Sequence, residues 1–349
     1  MKFEDLINNP PLWINGKGNF GEIVLSSRVR IARNLTPFPF PERASDAELE
    51  EILNITKGAL QSTPSLKDGL FLKIGELSAI DKEFLRERYL ITKNLEERPQ
   101  HRGIMIGQGE YLSVMINEED HLRIQALAPG LNLEQAWTTA EKLERELESR
   151  LDFAFSKEFG YLTACLTNVG TGIRASLLVH LPGLVHAKEI RKTLSELAEI
   201  GASVRGLYGE GSKVEGNFFQ ISNQITLGKR EEDIIQELHN EAIRIIEREK
   251  AARNVLIKNA RAQIEDKIWR SYGILKNARV LSSHEFINLS SAVRFGVGLG
   301  VLPPSVDLQV LNKLLIVTKP AHLQKMLGKT LGPGERDMRR ASHVRKQLG

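Results

Sequence analysis

Apolar positions recur along the chain with two different periods. Seven stretches alternate apolar with other residues or form short β-rich runs. They are Glu22–Ala32, Gly69–Ile74, Tyr111–Asn117, Arg123–Leu127, Ile173–Leu181, Val204–Tyr208 and Asn217–Leu227, and this spacing predicts strands. Three other stretches carry the helical period. Ala136, Ala140, Leu143 and Leu147 share one face of a helix rich in Glu, Lys and Arg. Ile190, Leu194 and Leu197 make a second stripe, stopped by Gly201 in a C-cap position. Ile234, Ile235, Leu238, Ala242, Ile245 and Ile246 line a third helix from Glu232 to about Lys250. Beyond Arg253 the alternating pattern all but disappears, while helical stretches and short loops such as Leu302–Pro304 and Gly332–Gly334 remain. Residues 1–253 therefore predict one domain and residues 254–349 a separate, mostly helical one. The pattern lets the third helix run through that boundary. No internal repeat or low-complexity tract is evident.

A length of 349 residues fits one large domain with an appendage, and 41% hydrophobic with 26% charged residues is ordinary for a folded chain. No apolar run approaches the ~20 residues that span a bilayer. The opening MKFEDLINNPPLW lacks a basic segment followed by an apolar one, so no secretory signal is expected. Cys165 is the single cysteine, which rules out an internal disulfide and a Cys-rich zinc site. The expected setting is the cytoplasm. A net charge of +4 is too modest to argue for nucleic acid. Its distribution is uneven: residues 335–349 hold five Arg/Lys against two acids. A basic end of this kind is a solvated helix face, an anion site or a nucleic-acid contact.

Common nucleotide and zinc signatures are missing from the sequence. There is no Gly-x4-Gly-Lys-Ser/Thr loop and no His-Glu-x-x-His, and Gly296, Gly298 and Gly300 have the wrong spacing for a dinucleotide fingerprint. What remains is a set of arginines on predicted strands. Arg28 and Arg30 lie two apart and so share a face, and Arg123, Arg174 and Arg205 recur in or beside three other strands. Singly, each reads as a solvated strand residue. Together, five guanidinium forks on one sheet could converge on a polyanion, because they match phosphate oxygens and stay charged at cellular pH.

Three further segments could carry chemistry. Asn117-Glu118-Glu119-Asp120-His121 could be a metal site, an inert solvated loop, or a carboxylate poised to hold and deprotonate a basic nucleophile; composition does not choose. In Cys165–Gly172 the two glycines permit close backbone approach, and Thr167 could hydrogen-bond a thiolate, although a lone cysteine by itself reads as a small buried hydrophobe. Gly206, Gly209, Gly211 and Gly216 bracket Glu210 in a flexible polar loop, a place for a substrate lid.

Taken in chain order, VLSSRVRIARN, NEEDHLRIQ, CLTNVGTGIRAS, VRGLYGEGS and ISNQITLG resemble the motifs of the ATP:guanidino phosphotransferases, the family of creatine and arginine kinases, over about Ile23 to Arg253. The resemblance implies an α+β catalytic domain, a mostly antiparallel sheet flanked by helices, followed here by a helical C-terminal domain used in self-association. It implies ATP and Mg2+ as cofactors. By the same resemblance, Glu119 and Glu210 are the carboxylates that grip the guanidinium, and Cys165 is the thiolate beside them. The nucleotide is held by Ser26, Ser27, Arg28, Val29 and Arg30, by Arg123, by Arg174, Ala175, Ser176, Leu177 and Leu178, and by Arg205, Gly206, Leu207, Tyr208, Gly209 and Glu210. No residue is assigned to metal.

The chain departs from the small-metabolite kinases in three ways. Their helical N-terminal domain, which carries a loop that caps the small substrate, is missing, so the acceptor site is expected to be open. A helical domain follows the kinase core instead. Leu166 replaces the usual Pro, and Gln220 stands where those kinases have an acid before ISN. No histidine is assigned to the nucleotide, and Tyr89 lies near the place expected for one.

This architecture is similar to the bacterial protein-arginine kinases of the McsB type. Arg336-Asp337-Met338-Arg339-Arg340-Ala341 fits their Arg-Asp-x-x-Arg-Ala phosphoarginine motif, with Asp337 facing a guanidinium, Arg336 and Arg340 a phosphoryl group, and Ala341 closing the motif. The resemblance implies allosteric feedback by phosphoarginine and a role in stress response and protein quality control. Expected partners are protein substrates with accessible arginines, a zinc-binding activator protein, a heat-shock repressor, a Clp-type unfoldase or protease, and further copies of the chain, with no membrane and no direct nucleic-acid contact. Two other readings stand beside it: a kinase for free arginine or another small guanidine, and a catalytically weak phosphoarginine-binding adaptor.

Overall fold

The computed structural model describes residues 1–199, 201–206 and 215–349. The strands, in chain order, are β1 (Val24–Arg33), β2 (Leu70–Lys73), β3 (Gly103–Ile106), β4 (Leu112–Ile116), β5 (Leu122–Pro129), β6 (Phe155–Ser156), β7 (Gly160–Tyr161), β8 (Ile173–His180), β9 (Ala202–Gly206) and β10 (Phe218–Asn223). β6 and β7 form a small hairpin, and the others join in one sheet in the order β2-β3-β4-β5-β1-β8-β10-β9. Every neighbouring pair in it is antiparallel. The predicted strand Asn217–Leu227 is longer than β10. The reason is Asn223, whose side chain accepts from Ala175 N at 2.8 Å and donates to Ile173 O and Ile225 O at 3.3 Å each, replacing the ladder at the strand end. Of the predicted strand Val204–Tyr208, Leu207 and Tyr208 lie outside the described residues.

The helices are α1 (Phe3–Asn8), α2 (Asp46–Gln61), α3 (Ala79–Glu87), α4 (Lys93–Glu97), α5 (Leu133–Glu148), α6 (Pro182–His186), α7 (Ile190–Glu199), α8 (Glu231–Asn277), α9 (Ser283–Gly298), α10 (Leu308–Val317), α11 (Pro320–Leu327) and α12 (Pro333–Leu348). Local sequence sets several of their starts. Ser45 and Glu48 close a reciprocal capping box before α2, and the Ser78, Thr92, Ser282 and Asp307 side chains accept from the first turns of α3, α4, α9 and α10. The third predicted helix does not stop near Lys250. It runs on as α8 to Asn277, leaving helical geometry once, at Ala260 (φ −142°, ψ 32°).

Alternation divides the sheet into two faces. Val29 and Ile31 of β1, Ile124 and Ala126 of β5, Ala175 and Leu177 of β8 and Ile221 of β10 point into the main core, where α2, α5, α7 and the first half of α8 cover them. The opposite face is covered at its two ends and, at Leu127 of β5, by Trp13, Ile14 and Ile316. At the β2–β4 end, Ile104, Ile106 and Met115 pack with α1, α3 and α4 and with Ala321 of α11. At the other, Leu25 and Phe218 pack with the second half of α8 and with α9, α10 and α12. The C-terminal helices thus touch both ends of this face. Buried polar groups fasten them: Glu249 accepts from Gly183 N and Leu184 N at 2.9 Å each, and Arg294 donates to Gly21 O and to Asn312 Oδ1. Between the two apolar ends lies a stretch of charged and polar side chains.

Candidate active site

The stretch is built by period two. Because Val29, Ala175 and Leu177 turn into the core, their neighbours Arg28, Arg30, Arg174 and Ser176 turn to the open face. Register then aligns them. Arg30 stands opposite Arg174 on β8 and opposite Gln125 on β5, and Arg28 stands opposite Ser176 and Leu127. Arg123 pairs with Ala32, and Arg205 with Gln220. Ser27 points the other way: its Oγ donates to Gly130 O at 2.8 Å and accepts from Asn132 N at 2.9 Å, so it fixes the turn after β5.

Like charges gathered on one face repel, and the electrostatics records it. Burial first, then Arg123, Arg174 and Arg205, pull the Arg28 pKa down to about 10, with Tyr89 acting in the opposite direction. Burial and then Arg28, Arg123 and Arg174 push Arg30 well below its ordinary value. Arg28 donates from Nε to Ser176 Oγ at 3.2 Å, while the buried Nε of Arg30 has no hydrogen-bond partner among the described residues. Guanidinium groups gathered in this way suit an oligophosphate, whose oxygens would accept from them and offset their mutual repulsion. The residues fit Mg-ATP. Arg28, Arg30, Arg123, Arg174 and Arg205 would hold the phosphates. Beside Arg28 a crevice is lined by Trp13, Tyr89, Leu127 and Leu178 with Ser26, Ser176 and Gln220, an aromatic and apolar surface next to the phosphate site. Trp13, Gln125 and Gln220 were not read from the sequence as site residues. Gln125 had a signal, since it lies two positions from Arg123 on one strand.

At the edge of this face, each residue of Asn117–His121 has a distinct task. Asn117, at φ 56°, donates to Leu49 O and His101 O at 2.8 Å each. Glu118 accepts from Arg123 at 2.8 Å and from Thr92 Oγ1 at 2.7 Å. Despite burial, which acts to raise it, the Arg123 charge and these hydrogen bonds hold its pKa near 2. Asp120 accepts from Asn34 Nδ2 at 2.6 Å and from Ala164 N at 2.7 Å, which ties the Cys165 loop to the end of β1. His121 accepts from Leu35 N on Nδ1 and donates from Nε2 to Pro39 O, both at 2.9 Å, and burial lowers its pKa to about 4, so it is neutral. Glu119 is the one of the five that stays partly exposed. Burial, then Asp120 and Glu118, raise its pKa, while Arg123 and a hydrogen bond from Cys165 act the other way. Cys165 Sγ also lies 3.0 Å from Thr167 Oγ1. These contacts fit a carboxylate poised to hold and deprotonate a basic nucleophile, beside a thiol. Glu210, with Leu207, Tyr208 and Gly209, lies outside the described residues.

The basic C-terminal motif sits on α12. Arg340 is buried and donates to Thr318 O at 2.9 Å, to Leu281 O at 2.8 Å and to Asp337 Oδ1, so it braces α12 against the chain before α9 and after α10. Ala341 is in the core there, and Arg336 and Asp337 remain partly exposed.

Comparison with known proteins places these features. Residues 51–252 match the ATP:guanido phosphotransferase C-terminal catalytic domain, and residues 261–349 match the protein-arginine kinase McsB C-terminal domain. The chain is 45% identical to a protein-arginine kinase of Halothermothrix orenii over 353 aligned residues, covering 100% of this chain and 99% of that protein. It is 42% identical to a protein-arginine kinase of Desulforamulus reducens, over 100% and 98% of the two chains. Among solved structures, a duplicated taurocyamine kinase from Schistosoma mansoni aligns with a TM-score of 0.60 at 28% identity, over 72% of this chain and 36% of that one.

Proposed function

The chain belongs to the ATP:guanido phosphotransferase family, among its protein-arginine kinases, and we propose that it moves the γ-phosphoryl group of ATP onto arginine side chains of proteins. The observation that carries this reading is the arginine face. Arg28, Arg30, Arg123 and Arg174 share one side of three adjacent strands, with Glu119 and Cys165 at its edge.

The chemistry follows from that arrangement. The arginines hold the phosphates in line with the acceptor and stabilise charge as the bond between the γ-phosphorus and the β–γ bridging oxygen breaks. Mg2+, when bound, adds charge neutralisation on the same oxygens. An acceptor guanidinium has a pKa above ~12 and is not nucleophilic until it loses a proton. Glu119 takes that proton as the nitrogen–phosphorus bond forms, and ADP leaves. Its raised pKa makes it a better base than an ordinary glutamate, and the Cys165 side chain fixes its direction. Glu210, by its place in the family motif, is the second carboxylate on the guanidinium.

The wider setting belongs to the same proposal. Phosphoarginine marks clients for a Clp-type protease and inactivates a heat-shock repressor, in the cytoplasm, with a zinc-binding activator and self-association. Arg336 and Asp337, the partly exposed members of the C-terminal motif, read the product, while Arg340 and Ala341 hold the helix that carries them. The test is incubation with Mg-ATP and either an unfolded arginine-rich protein or free L-arginine, with products read by mass spectrometry without acid. Phosphoryl groups on protein arginines alone support the reading. Phosphorylated free arginine alone makes it a metabolite kinase, and the absence of both products points to a missing activator or to an adaptor.

A further inference from the structure

Three consecutive residues close α3, and each grips a different part of the molecule. The Glu87 carboxylate accepts from Ala321 N and His322 N at 2.9 Å each, and so caps α11 of the C-terminal region. Arg88, fully buried, pairs with Glu110, donates to Asn9 O at 2.8 Å, and lies 3.5 Å from His322 Nδ1. Tyr89 then takes a left-handed backbone, φ 62°, which a tyrosine adopts only when its surroundings over-determine it. Gln125, the residue opposite Arg30, donates to Tyr89 O at 3.0 Å from one side. From the other comes Lys319, the residue before α11. Its Nζ donates to Glu87 O at 2.8 Å and lies 4.4 Å from the centre of the Tyr89 ring. Trp13 meets the same ring edge-on at 6.0 Å, and both aromatics line the crevice beside Arg28.

We infer that Lys319 is a positioning residue for the nucleotide: from the C-terminal region it holds the Tyr89 ring against the crevice beside Arg28, and so sets the affinity of the arginine face for ATP and ADP. The inference rests on the kinase reading and deepens it, because it makes the nucleotide site incomplete without residues beyond α8. The ammonium lies over a ring that also lines the crevice, so a rotation of the ring gives up a cation–π contact made by a buried lysine. Burial lowers the Lys319 pKa to about 8, with Glu87 acting to keep it charged. The brace extends one residue further: Thr318, whose carbonyl receives Arg340, directly precedes Lys319.

The test is a cycle of Lys319→Met, Tyr89→Leu and the double variant in the full chain, read by ADP binding in calorimetry and by KM for ATP and kcat. Lys319→Met is expected to weaken ADP binding and raise KM for ATP by roughly tenfold, the scale of a lost buried cation–π contact. Its kcat should stay within about twofold of wild type, since a ground-state contact has gone. Tyr89→Leu should do the same, and the double variant should be no worse than Tyr89→Leu alone. Lys319→Gln, which can still donate to the Glu87 carbonyl, replaces Lys319→Met if the latter does not fold, with the same expected split. ADP binding and KM unchanged in the lysine variant, a loss in kcat alone, or additive effects would overturn the inference. Wild-type protein that does not bind ADP would overturn the kinase reading and this inference together.

Discussion

Arg30 and Arg174 face each other directly across β1 and β8, on the same side of the sheet, and the buried Arg30 Nε has no hydrogen-bond partner among the described residues. Like charges placed opposite on adjacent strands destabilise a sheet by roughly 0.2–1 kcal/mol. A fold keeps such a pair where a polyanion completes it. Arg30→Met is therefore expected to unfold at a higher temperature than wild type without nucleotide. It should also bind ADP more weakly and turn over about a hundredfold or more slowly, as when one charge-stabilising donor is removed. Thermal melts with and without ADP, beside a phosphoarginine assay, check both halves. Normal turnover in this variant would remove Arg30 from the phosphate site.

Glu119 is expected to act as the base, so Glu119→Gln should cut kcat by about 10²–10⁴-fold while ADP binding is kept. The pH dependence has a definite sign. A base works deprotonated, so activity is lost as pH falls through the Glu119 pKa, and that acid limb should lie above the usual 4.5 because burial, Asp120 and Glu118 raise it. Cys165 lowers it. Cys165→Ala should therefore move the acid limb to higher pH, measured in kcat/KM against pH. A shift to lower pH would contradict the hydrogen bond between the two side chains.

How much of this was legible in the chain depends on the range of the interaction. Arg28 and Arg30 announce a shared face because side-chain direction alternates along any strand, so sequence spacing alone places them together. Which strand lies beside β1 is not written locally, and the Arg30–Arg174 pairing follows from a register set by the packed core. Gly103–Ile106 escaped notice as a strand because four apolar residues carry no period. The predicted end of the third helix failed for a related reason. Between Lys250 and Asn277 there is no proline, and the single glycine, Gly273, stands near its end, so nothing local stops α8. Within Asn117–His121, composition could not separate Glu119 from its neighbours, because the roles of Glu118, Asp120 and His121 are assigned by Arg123, Asn34 and Pro39. The Lys319–Tyr89 contact joins distant parts of the chain and has no sequence signature at all.

Within the C-terminal motif, burial separates a brace from the residues open to a ligand. Arg340 has three chain acceptors in the interior, so Arg340→Ala leaves Thr318 O and Leu281 O without their donor. A loss of about 2–4 kcal/mol is expected, the range for breaking a buried, hydrogen-bonded charge. Arg336→Ala, on a partly exposed position, should change stability by no more than about 0.5 kcal/mol and blunt any response to added phosphoarginine. Urea unfolding of both variants, with phosphoarginine titrations of Arg336→Ala, tests the division. Equal stability in the two would mean that Arg340 does not brace α12.

His121 gives the fold an acid-sensitive clamp beside the base. Its neutral ring accepts from Leu35 N and donates to Pro39 O, and protonation of Nδ1 would remove the acceptor. The folded pKa, about 4, lies below the ~6.5 of an unfolded histidine. The stability linked to this residue is therefore complete above pH 6.5 and is lost as pH falls from there toward 4, where the folded ring also takes a proton. Between pH 7 and pH 5 the linkage amounts to about 2 kcal/mol. Asp120 and Glu119 titrate nearby with raised values and oppose this trend, so total stability is a poor readout. His121→Gln isolates it, because a glutamine offers one acceptor and one donor and does not titrate. Wild type should lose about 2 kcal/mol more than His121→Gln between the two pH values in urea unfolding. Parallel losses would mean that the ring is already protonated in the folded protein, and that the Leu35 amide is held some other way.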